Sequence, residues 1–383
     1  MFLHKLIQAG RLLAAGLFLG LVTCGGGDML KVGLIVPLTG EVRTFGISAR
    51  NGAMLAFEAV NVAGGIEGRQ IQVFAADDRN DPAETGRMGA TMIAAEGVVA
   101  MMGSVSSDCA EALAIKCQGR LVPMITPTAT SPKITVDPTG ERRSCVFRAC
   151  FTDPFQGKVA ARFVRDSLKL ETAVVMYCPD KEYSAGLAEY FTESFEELGG
   201  RVLASEEYDD GVQNFAGILN RVKELGPDLL FLPDYYNVVG TIARQARELG
   251  VRAQLVGGDG WDSPHMDRIA GSAIHGGYFT NHFSAADPRP EVQQWVASYQ
   301  AKYGREPDAL ATLYYDAALL LAEAMRRAAR PETEDICIAL TQIQDFPCVT
   351  GRVSFDEWGN PIKSAVVLRY TAEGQQYVAT VTP

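Results

Sequence analysis

The stretch VVAMMGSVSSDCAEALAIKCQG (98–119) places two serines, an aspartate and a cysteine directly after an apolar run. Such a cluster could supply a nucleophile, half of a metal site or a cradle for an anion. A nucleophilic serine or cysteine needs a histidine base beside it, and none of the four histidines lies in the loops predicted at the strand ends. No Cys-x-x-Cys or His-rich segment is present to complete a metal site. The cluster therefore favours anion binding.

Two loops rich in hydroxyl groups, GSVSSDC (103–109) and TPTATSP (126–132), each follow a predicted strand and contain no Lys or Arg. Ser107 lies where a helix N-cap is expected. Free backbone N–H groups at a helix N-terminus, together with hydroxyl groups, bind a carboxylate without a full positive charge. A single serine at such a position commonly only caps its own helix. The prediction of an anion site therefore rests on the convergence of both loops at neighbouring strand ends.

The loops in the second half of the chain have the opposite character. CPDKEYSAG (178–186), FLPDYYNV (231–238) and GGDGWDSP (257–264) carry tyrosines and aspartates. Asp259 follows two glycines after an apolar strand, so we expect it at the strand tip. A carboxylate beside tyrosine rings suits a cation. An anion site opposite a cation site predicts a zwitterionic ligand, namely an α-amino acid.

These loops need a scaffold that brings strand ends together. From Leu30 the chain alternates strand-like and helix-like segments, and the alternation restarts near Phe155. The pattern predicts an α/β fold of two doubly wound, Rossmann-like lobes, each with a parallel sheet and helices on both faces. In such sheets ligands bind beyond the carboxyl ends of the strands. The segments expected there are 39–45, 103–108, 126–130, 177–183, 233–236 and 257–261.

The overall composition excludes two classes of function. The 383 residues, with 47% hydrophobic and 21% charged side chains, are typical of a globular protein of two domains. The net charge is −11 and no cluster of basic residues stands out, so we expect no nucleic-acid partner. The four scattered histidines and the absence of a nucleotide-binding motif predict neither a metal nor a cofactor.

The N-terminus has the features of an export signal. Two basic residues precede an apolar core, 12–22, which at about 11 residues is too short to span a bilayer. The core leads to Cys24 and three glycines, which resembles a bacterial lipoprotein signal. We expect a signal peptide over 1–23, a lipidated Cys24 and a Gly-rich tether over 24–29. A plain cleaved signal with an incidental cysteine is the alternative.

The remaining cysteines face an oxidising compartment if the chain is exported. Of the eight cysteines, seven lie beyond Cys24, so at least one should be free. Cys109 and Cys117 lie on one predicted helix about 12 Å apart, beyond the roughly 7 Å between Cα atoms that a disulfide tolerates. Three pairings stay open: Cys337–Cys348, Cys117–Cys145 and Cys117–Cys150.

The loop motifs, their order and their spacing resemble the leucine/isoleucine/valine-binding protein family, the extracytoplasmic receptors of amino-acid ABC importers. The segment GLIVPLTGEVRTFGISARNGAMLAFEAVNVAGGIEGRQIQV (33–73) is similar to the opening strand, pocket loop and helix of that family. The other matching segments follow in order: GSVSSDCAEA, MITPTATSP, RACFTDPFQGKVAARF, DKEYSAGLA, DYYNVVGTIARQARELG and GGDGW. The resemblance covers nearly all of the chain from Leu30.

The resemblance implies roles for the charged ends of the ligand. Ser107 corresponds to the serine that binds the ligand carboxylate. Thr128 and Thr130 correspond to the second loop's contacts, a backbone group and a threonine hydroxyl. Asp259 corresponds to the acid that receives the ammonium group, which is a glutamate in the best-known members. Asp153 is a second candidate for the ammonium group.

The resemblance also implies which residues surround the rest of the ligand. Tyr183 and Tyr235 correspond to tyrosines on the far side of the ligand, beside its ammonium group. Phe45 corresponds to an aromatic residue of the side-chain pocket, to which we add Tyr236 and Trp261. These residues predict an uncharged aliphatic or aromatic side chain, with a branched-chain amino acid as the first choice.

A type I periplasmic binding protein, which the resemblance implies, has two lobes joined by three hinge segments. The implied hinges lie near 148–152, 277–281 and 348–352. The N-terminal lobe then comprises 30–147 and 282–348, and the C-terminal lobe comprises 152–276 and 353–383. A cleft between the lobes that closes over the ligand follows from this arrangement.

The resemblance implies a substrate-binding protein rather than an enzyme. We expect a monomer outside the cytoplasm, attached to the membrane only through its N-terminal lipid, that delivers an amino acid to the permease subunits of an ABC importer. One alternative is a ligand-sensing receptor subunit of the same fold, which we expect less because the chain ends after its last strand without an output domain. Another is a different ligand, such as a short amide or an aromatic acid.

Overall fold

The computed structural model describes residues 29–382, which form two α/β lobes. The predicted signal peptide, Cys24 and the tether up to residue 28 lie outside this range. No helix within it is both long and apolar enough to cross a bilayer.

The first lobe contains a five-stranded parallel sheet with the order β2-β1-β3-β4-β5. Its strands are β1 (Leu30–Val36), β2 (Ile71–Asp77), β3 (Ala100–Gly103), β4 (Met124–Thr126) and β5 (Val146–Arg148). Its helices are α1 (Arg43–Val62), α2 (Pro82–Thr91), α3 (Ser107–Gln118) and, from later in the chain, α9 (Pro290–Tyr303), α10 (Ala309–Arg327) and α11 (Thr333–Thr341).

The second lobe contains a seven-stranded sheet with the order β14-β13-β10-β9-β8-β6-β7. The strands from β6 to β10 pair in parallel, whereas β13 pairs antiparallel with both of its neighbours. The strands are β6 (Thr172–Tyr177), β7 (Arg201–Glu207), β8 (Leu229–Leu232), β9 (Gln254–Gly257), β10 (Tyr278–Asn281), β13 (Ala365–Thr371) and β14 (Gly374–Val381). The helices are α4 (Asp153–Arg162), α5 (Glu182–Glu197), α6 (Ala216–Leu225), α7 (Tyr236–Glu248) and α8 (Met266–Ala270).

Local signals in the sequence define several helix ends. Asp81 caps α2 by accepting a hydrogen bond of 2.8 Å from the backbone N–H of Glu84, and Pro82 occupies the first helical position. α1 ends just before Gly64, whose φ of 105° is open to glycine but strained for other residues. The residue types at these positions therefore account for where the two helices begin and end.

Close packing of α1 against α10 builds the wall of the first lobe that faces the second. A Cβ atom on Gly52 would lie only 1.9 Å from the backbone oxygen of Ala311, so a glycine is needed for the two helices to approach. This approach brings the N-terminal turns of α10, beginning at Ala309, to the boundary between the lobes.

The second predicted hinge is displaced. The range 277–281 was expected to cross between lobes, but Tyr278–Asn281 is strand β10, which pairs with β9 and β13 inside the second sheet. The chain therefore leaves the second lobe only after Asn281. A short apolar segment at a lobe boundary and a short strand have the same sequence pattern, and only pairing distinguishes them.

The range predicted for the third hinge, near 348–352, coincides with a hairpin. These residues form the hairpin of β11 (Phe346–Cys348) and β12 (Gly351–Val353). The loop that follows still packs on the first lobe, because the ring of Phe355 lies 5.1 Å from that of Phe147. The chain passes to the second lobe after this loop and before β13.

The structure contains a disulfide between Cys145 and Cys337, which none of the three open pairings anticipated. It joins the segment just before β5 to α11, across 192 residues of sequence. The sequence left the connectivity open, and the return of α11 to the first lobe from late in the chain decides it. The other five cysteines of the described chain, Cys109, Cys117, Cys150, Cys178 and Cys348, are free and buried.

Candidate functional site

A cavity lies between the two lobes, at the carboxyl ends of their strands. Seven of the predicted site residues line it: Phe45, Ser107, Thr128, Thr130, Tyr183, Tyr235 and Asp259. They come from both lobes, as the rule that ligands bind beyond strand ends requires.

One wall of the cavity is the N-terminus of α3. Ser107 is the first helical residue and Ser106 is the N-cap, one position earlier than predicted. The side chain of Ser106 makes no capping bond, so the N-cap residue itself does not satisfy the first backbone N–H groups of α3. The partial positive charge of this terminus favours an anion beside Ser107.

The second loop of the first lobe completes this wall. The Thr130 hydroxyl is buried and has no hydrogen-bond partner within residues 29–382. The Thr128 hydroxyl donates to the backbone oxygen of Val105 at 3.0 Å, so it holds the two loops together instead of pointing free into the cavity. The Thr130 hydroxyl also lies close enough to the Asp153 carboxyl group to lower its pKa, and it is the hydroxyl of this loop that could donate to a bound group.

Arg148, at the end of β5, fixes the shape of the second loop. Its guanidinium donates to the backbone oxygens of Ala129 at 2.8 Å and Ser131 at 2.6 Å, and to Oδ1 of Asn360 at 2.7 Å. The side chain is fully buried, and this burial lowers its pKa. Arg148 thus positions the loop from behind and is absent from the residues that line the cavity.

The opposite wall is centred on Asp259, just after β9. Its Oδ1 accepts hydrogen bonds of 2.8 Å from both Nε2 of Gln156 and the hydroxyl of Tyr183. Its Oδ2 lies 3.1 Å from Nε2 of His282. A carboxylate offers about four lone-pair sites, so these neutral partners leave one acceptor position for a further donor.

The glycine before Asp259 makes room for this arrangement. A Cβ atom on Gly258 would lie 2.5 Å from the hydroxyl of Tyr183 and 3.0 Å from Nε2 of Gln156. Any side chain at this position would therefore displace two of the donors that orient the carboxylate.

Two tyrosines form an aromatic wall beside Asp259. The rings of Tyr183 and Tyr235 stack with centroids 5.2 Å apart and planes 6° from parallel. Burial, with the neighbouring Asp259 charge adding to it, raises the pKa of Tyr183 well above its ordinary value. Phe45 of the first lobe contacts Tyr235 edge-on at 5.9 Å. Both tyrosines therefore act as neutral hydroxyl groups and ring faces.

Asp153, the second candidate for the ammonium group, does not line the cavity. It begins α4 and is completely buried, and neither carboxyl oxygen has a hydrogen-bond partner in the described chain. Burial raises the pKa of Asp153 to about 8. Asp259 is therefore the better placed acid of the two.

Trp261 and Tyr236, which were predicted for the side-chain pocket, are also absent from the cavity lining. Trp261 is fully buried, packs on Gly257 and donates from Nε1 to the backbone oxygen of Leu232 at 2.9 Å. The Tyr236 ring packs against Phe45 at 4.9 Å, and its hydroxyl donates to a backbone oxygen of the first lobe. These contacts hold both side chains outside the cavity lining.

Several lining residues were missed by the sequence analysis. Val105, Ala309, Leu310 and Leu313 supply an apolar end, together with Phe45. The three residues of α10 follow Asp308, whose carboxylate caps that helix, so a helix-start signal was present. This capping signal marks the start of α10, but it does not indicate against which part of the protein the helix packs.

Asn281 and His282 were missed for a different reason. Both line the cavity at the end of β10. The strand-end rule would have selected them if β10 had been recognised as a strand, but that segment had been assigned to a hinge.

The cavity carries no metal-site pattern. Within residues 29–382 no group of three or more His, Cys, Asp or Glu side chains is placed to hold a metal ion.

Comparison with known proteins identifies the family to which the chain belongs. The family model described as periplasmic binding protein matches residues 29–375. The chain belongs to the periplasmic binding protein family. Its fold is that of the type I members, and the family places it outside the cytoplasm.

Individual relatives of this periplasmic binding protein are similar along almost their entire length. A leucine-binding protein from Thermotoga maritima superposes with a TM-score of 0.88 at 33% identity, covering 93% of this chain and 99% of that one. A branched-chain amino acid transporter substrate-binding protein from Streptococcus pneumoniae, solved with isoleucine, gives a TM-score of 0.86 at 29% identity with the same coverage. The Leu/Ile/Val-binding protein homolog 1 of Brucella suis is 30% identical over 355 residues, covering 91% of this chain and 93% of that protein.

The lobes of this periplasmic binding protein touch at the rim of the cavity. Glu182 of the second lobe accepts hydrogen bonds from the first lobe's Ser131 hydroxyl at 3.0 Å and Lys133 Nζ at 2.8 Å. On another side, Oδ2 of Asp262 accepts from the backbone N–H of Ala309 at 2.8 Å. These contacts across the cleft describe a closed arrangement of the lobes.

Proposed function

We propose that this protein binds a zwitterionic α-amino acid with an uncharged aliphatic side chain in the cavity between its lobes. The observation that carries the proposal is the division of one small cavity into three chemically different walls. A helix N-terminus with hydroxyl groups, an oriented carboxylate and an apolar surface match the three substituents of such a ligand.

The ligand carboxylate is assigned to the α3 wall. Ser107 and the unpartnered Thr130 hydroxyl can donate to it, as can the first backbone N–H groups of α3. Such neutral donors hold an anion without requiring Lys or Arg. No Lys or Arg side chain is among the residues described as lining the cavity.

The ligand ammonium group is assigned to Asp259. The free acceptor position of its carboxylate and the faces of Tyr183 and Tyr235 together suit a cation. The donors on Asp259 are neutral, so the carboxylate keeps its charge for the ligand.

The ligand side chain is assigned to the apolar wall. Phe45, Val105, Leu310 and Leu313 offer no polar side-chain atom, so a charged side chain would lose its hydration there without compensation. Relatives named for leucine, isoleucine and valine support a branched-chain ligand.

The proposed role is delivery of this amino acid to the membrane permease of an ABC importer. Closure of the lobes around the ligand would present a distinct surface to the permease. We further propose that the protein is a monomer held to the membrane through a lipid on Cys24, which lies outside the described residues.

Thermal unfolding in the presence of each of the twenty amino acids tests the ligand class. Leucine, isoleucine or valine at about 100 times its Kd stabilises the folded state by about 2.7 kcal/mol, so we expect Tm to rise by about 3 °C or more. Charged amino acids should leave Tm unchanged, because the apolar wall offers them no partner.

Two analogues of leucine distinguish the ends of the ligand. Leucinamide lacks the carboxylate and 4-methylpentanoate lacks the amine, and we expect each to lose the Tm shift. A shift with no amino acid, or a larger one with 4-methylpentanoate or benzoate, would contradict the proposal and indicate a carboxylic acid as the ligand.

Replacing Glu182 with glutamine tests how much closure of the lobes contributes to the affinity for leucine. Glu182 touches the first lobe only in the closed arrangement, so losing its charge should weaken leucine binding by about 1 kcal/mol, roughly fivefold. Isothermal titration calorimetry gives the Kd. Glu206→Gln is the matched control, because its ion pair with Arg221 lies within the second lobe. Equal affinities of the two variants would show that the Glu182 contact does not contribute to closure.

A further inference from the structure

His282 lies where two connections between the lobes meet the ligand cavity. It directly follows β10, so it stands at the start of the second connection. Its side chain is 1% exposed. The ring stacks on that of Phe151, in the first connection, with centroids 3.6 Å apart and an angle of 26° between planes.

The ring is fixed on several sides, and its one polar contact is with Asp259. The Nε2 atom lies 3.1 Å from Oδ2 of Asp259, and Nδ1 has no partner within residues 29–382. The backbone N–H of His282 donates to Oδ1 of Asn281 at 2.8 Å, which fixes the main chain. Because the ring is held in place, its Nε2 atom constrains the position of Oδ2 of Asp259.

The two oxygens of Asp259 are held unequally. Gln156 and Tyr183 both donate to Oδ1, whereas His282 is the partner described for Oδ2. The acceptor position that remains for a ligand is therefore on Oδ2, and its direction depends on the bond to His282.

We propose that His282 is a positioning residue that donates from Nε2 to Asp259 and directs the remaining lone pair of Oδ2 into the cavity. This inference rests on the proposed function, in which Asp259 receives the ligand ammonium group. The neutral ring carries its proton on Nε2, because its neighbour there is an acceptor, and Nδ1 is unprotonated.

Protonation of His282 then opposes ligand binding. Burial lowers the pKa of His282 below its ordinary value of 6.5, so the ring is neutral at pH 7. An imidazolium would pair with Asp259 and compete with the ligand ammonium group. Of the charged groups around the ring, Asp259 and Asp262 favour this protonation and Lys363 opposes it, while Asp153 lies beyond Asp259. Affinity should therefore fall as the pH drops through the lowered pKa of His282.

Two variants separate the hydrogen bond from the ring packing. His282→Gln keeps an N–H donor near the position of Nε2 and loses the stacked ring, whereas His282→Phe keeps the ring and loses the donor. With leucine as the probe in calorimetry at pH 7.5, we expect His282→Phe to bind at least tenfold more weakly than the wild type. His282→Gln should stay within threefold. Retained affinity in His282→Phe, or an equal loss in both variants, would overturn the proposal.

The pH dependence of leucine affinity supplies a second test. Wild-type affinity for leucine, followed down to the lowest pH at which the protein stays folded, should fall as the pH drops through the lowered pKa of His282, and His282→Gln should remove this fall. Identical profiles for the two proteins would overturn the competition between protonated His282 and the ligand. Asp259→Asn tests the assignment of the ammonium group separately, since that variant should lose binding if the assignment holds. A failure of this assignment can therefore be distinguished from a failure of the role proposed for His282.

Discussion

Asp259→Asn should weaken the binding of leucine by about 2 kcal/mol or more, about 30-fold. The variant keeps the size of the side chain but removes the charge that faces the ligand ammonium group. It also turns an amide N–H₂ toward Gln156, Tyr183 or His282, each of which donates to Asp259 in the wild type. Isothermal titration calorimetry at pH 7.5 measures the change.

Asp267→Asn is the matched control for this variant. Asp267 belongs to the same lobe, its side chain is 55% exposed and it lies outside the cavity lining, so the same change in net charge should leave affinity unaltered. Unchanged binding in Asp259→Asn would contradict the assignment and move the ammonium group to another acid, with Asp153 the next to test.

Removing the disulfide should produce the largest loss of stability. Replacing both Cys145 and Cys337 with alanine frees a loop closed across 192 residues, and we expect the free energy of unfolding to fall by about 2–5 kcal/mol. Denaturant unfolding under oxidising conditions measures it. Leucine affinity should persist, because neither cysteine lines the cavity.

A reductant provides the control for the disulfide. Dithiothreitol should lower the stability of the wild type toward that of the double variant and leave the variant unchanged. If oxidised wild type and double variant unfold at the same denaturant concentration, the two cysteines do not form the bond.

The predicted site residues that line the cavity share one property. Ser107, Thr130, Tyr183, Tyr235 and Asp259 all lie in the segment between a strand of strong apolar character and the first turn of the helix that follows it. Parallel strands place their carboxyl ends at one edge of the sheet, so position along the chain is enough to bring these residues near the cleft.

The direction in which each side chain points, by contrast, depends on packing. Asp259 and Trp261 are two residues apart in one turn, yet Asp259 faces the cavity and Trp261 packs on Gly257 under the second sheet. Likewise Tyr235 lines the cavity and Tyr236 does not. A sequence pattern gives the residue types of a turn but not the orientation of each side chain, which depends on the space left by neighbouring elements.

The sequence by itself determined the two α/β lobes, the family and the hydroxyl-rich and acidic loops at the strand ends, because alternation and strand-end residues are local properties. Tertiary structure alone decided what depends on contacts between distant segments. The pairing of β10 within the second sheet brings His282 to Asp259, the return of α10 supplies the apolar wall, and the return of α11 joins Cys337 to Cys145. In each case the partner lies far along the chain, so no local pattern records the contact.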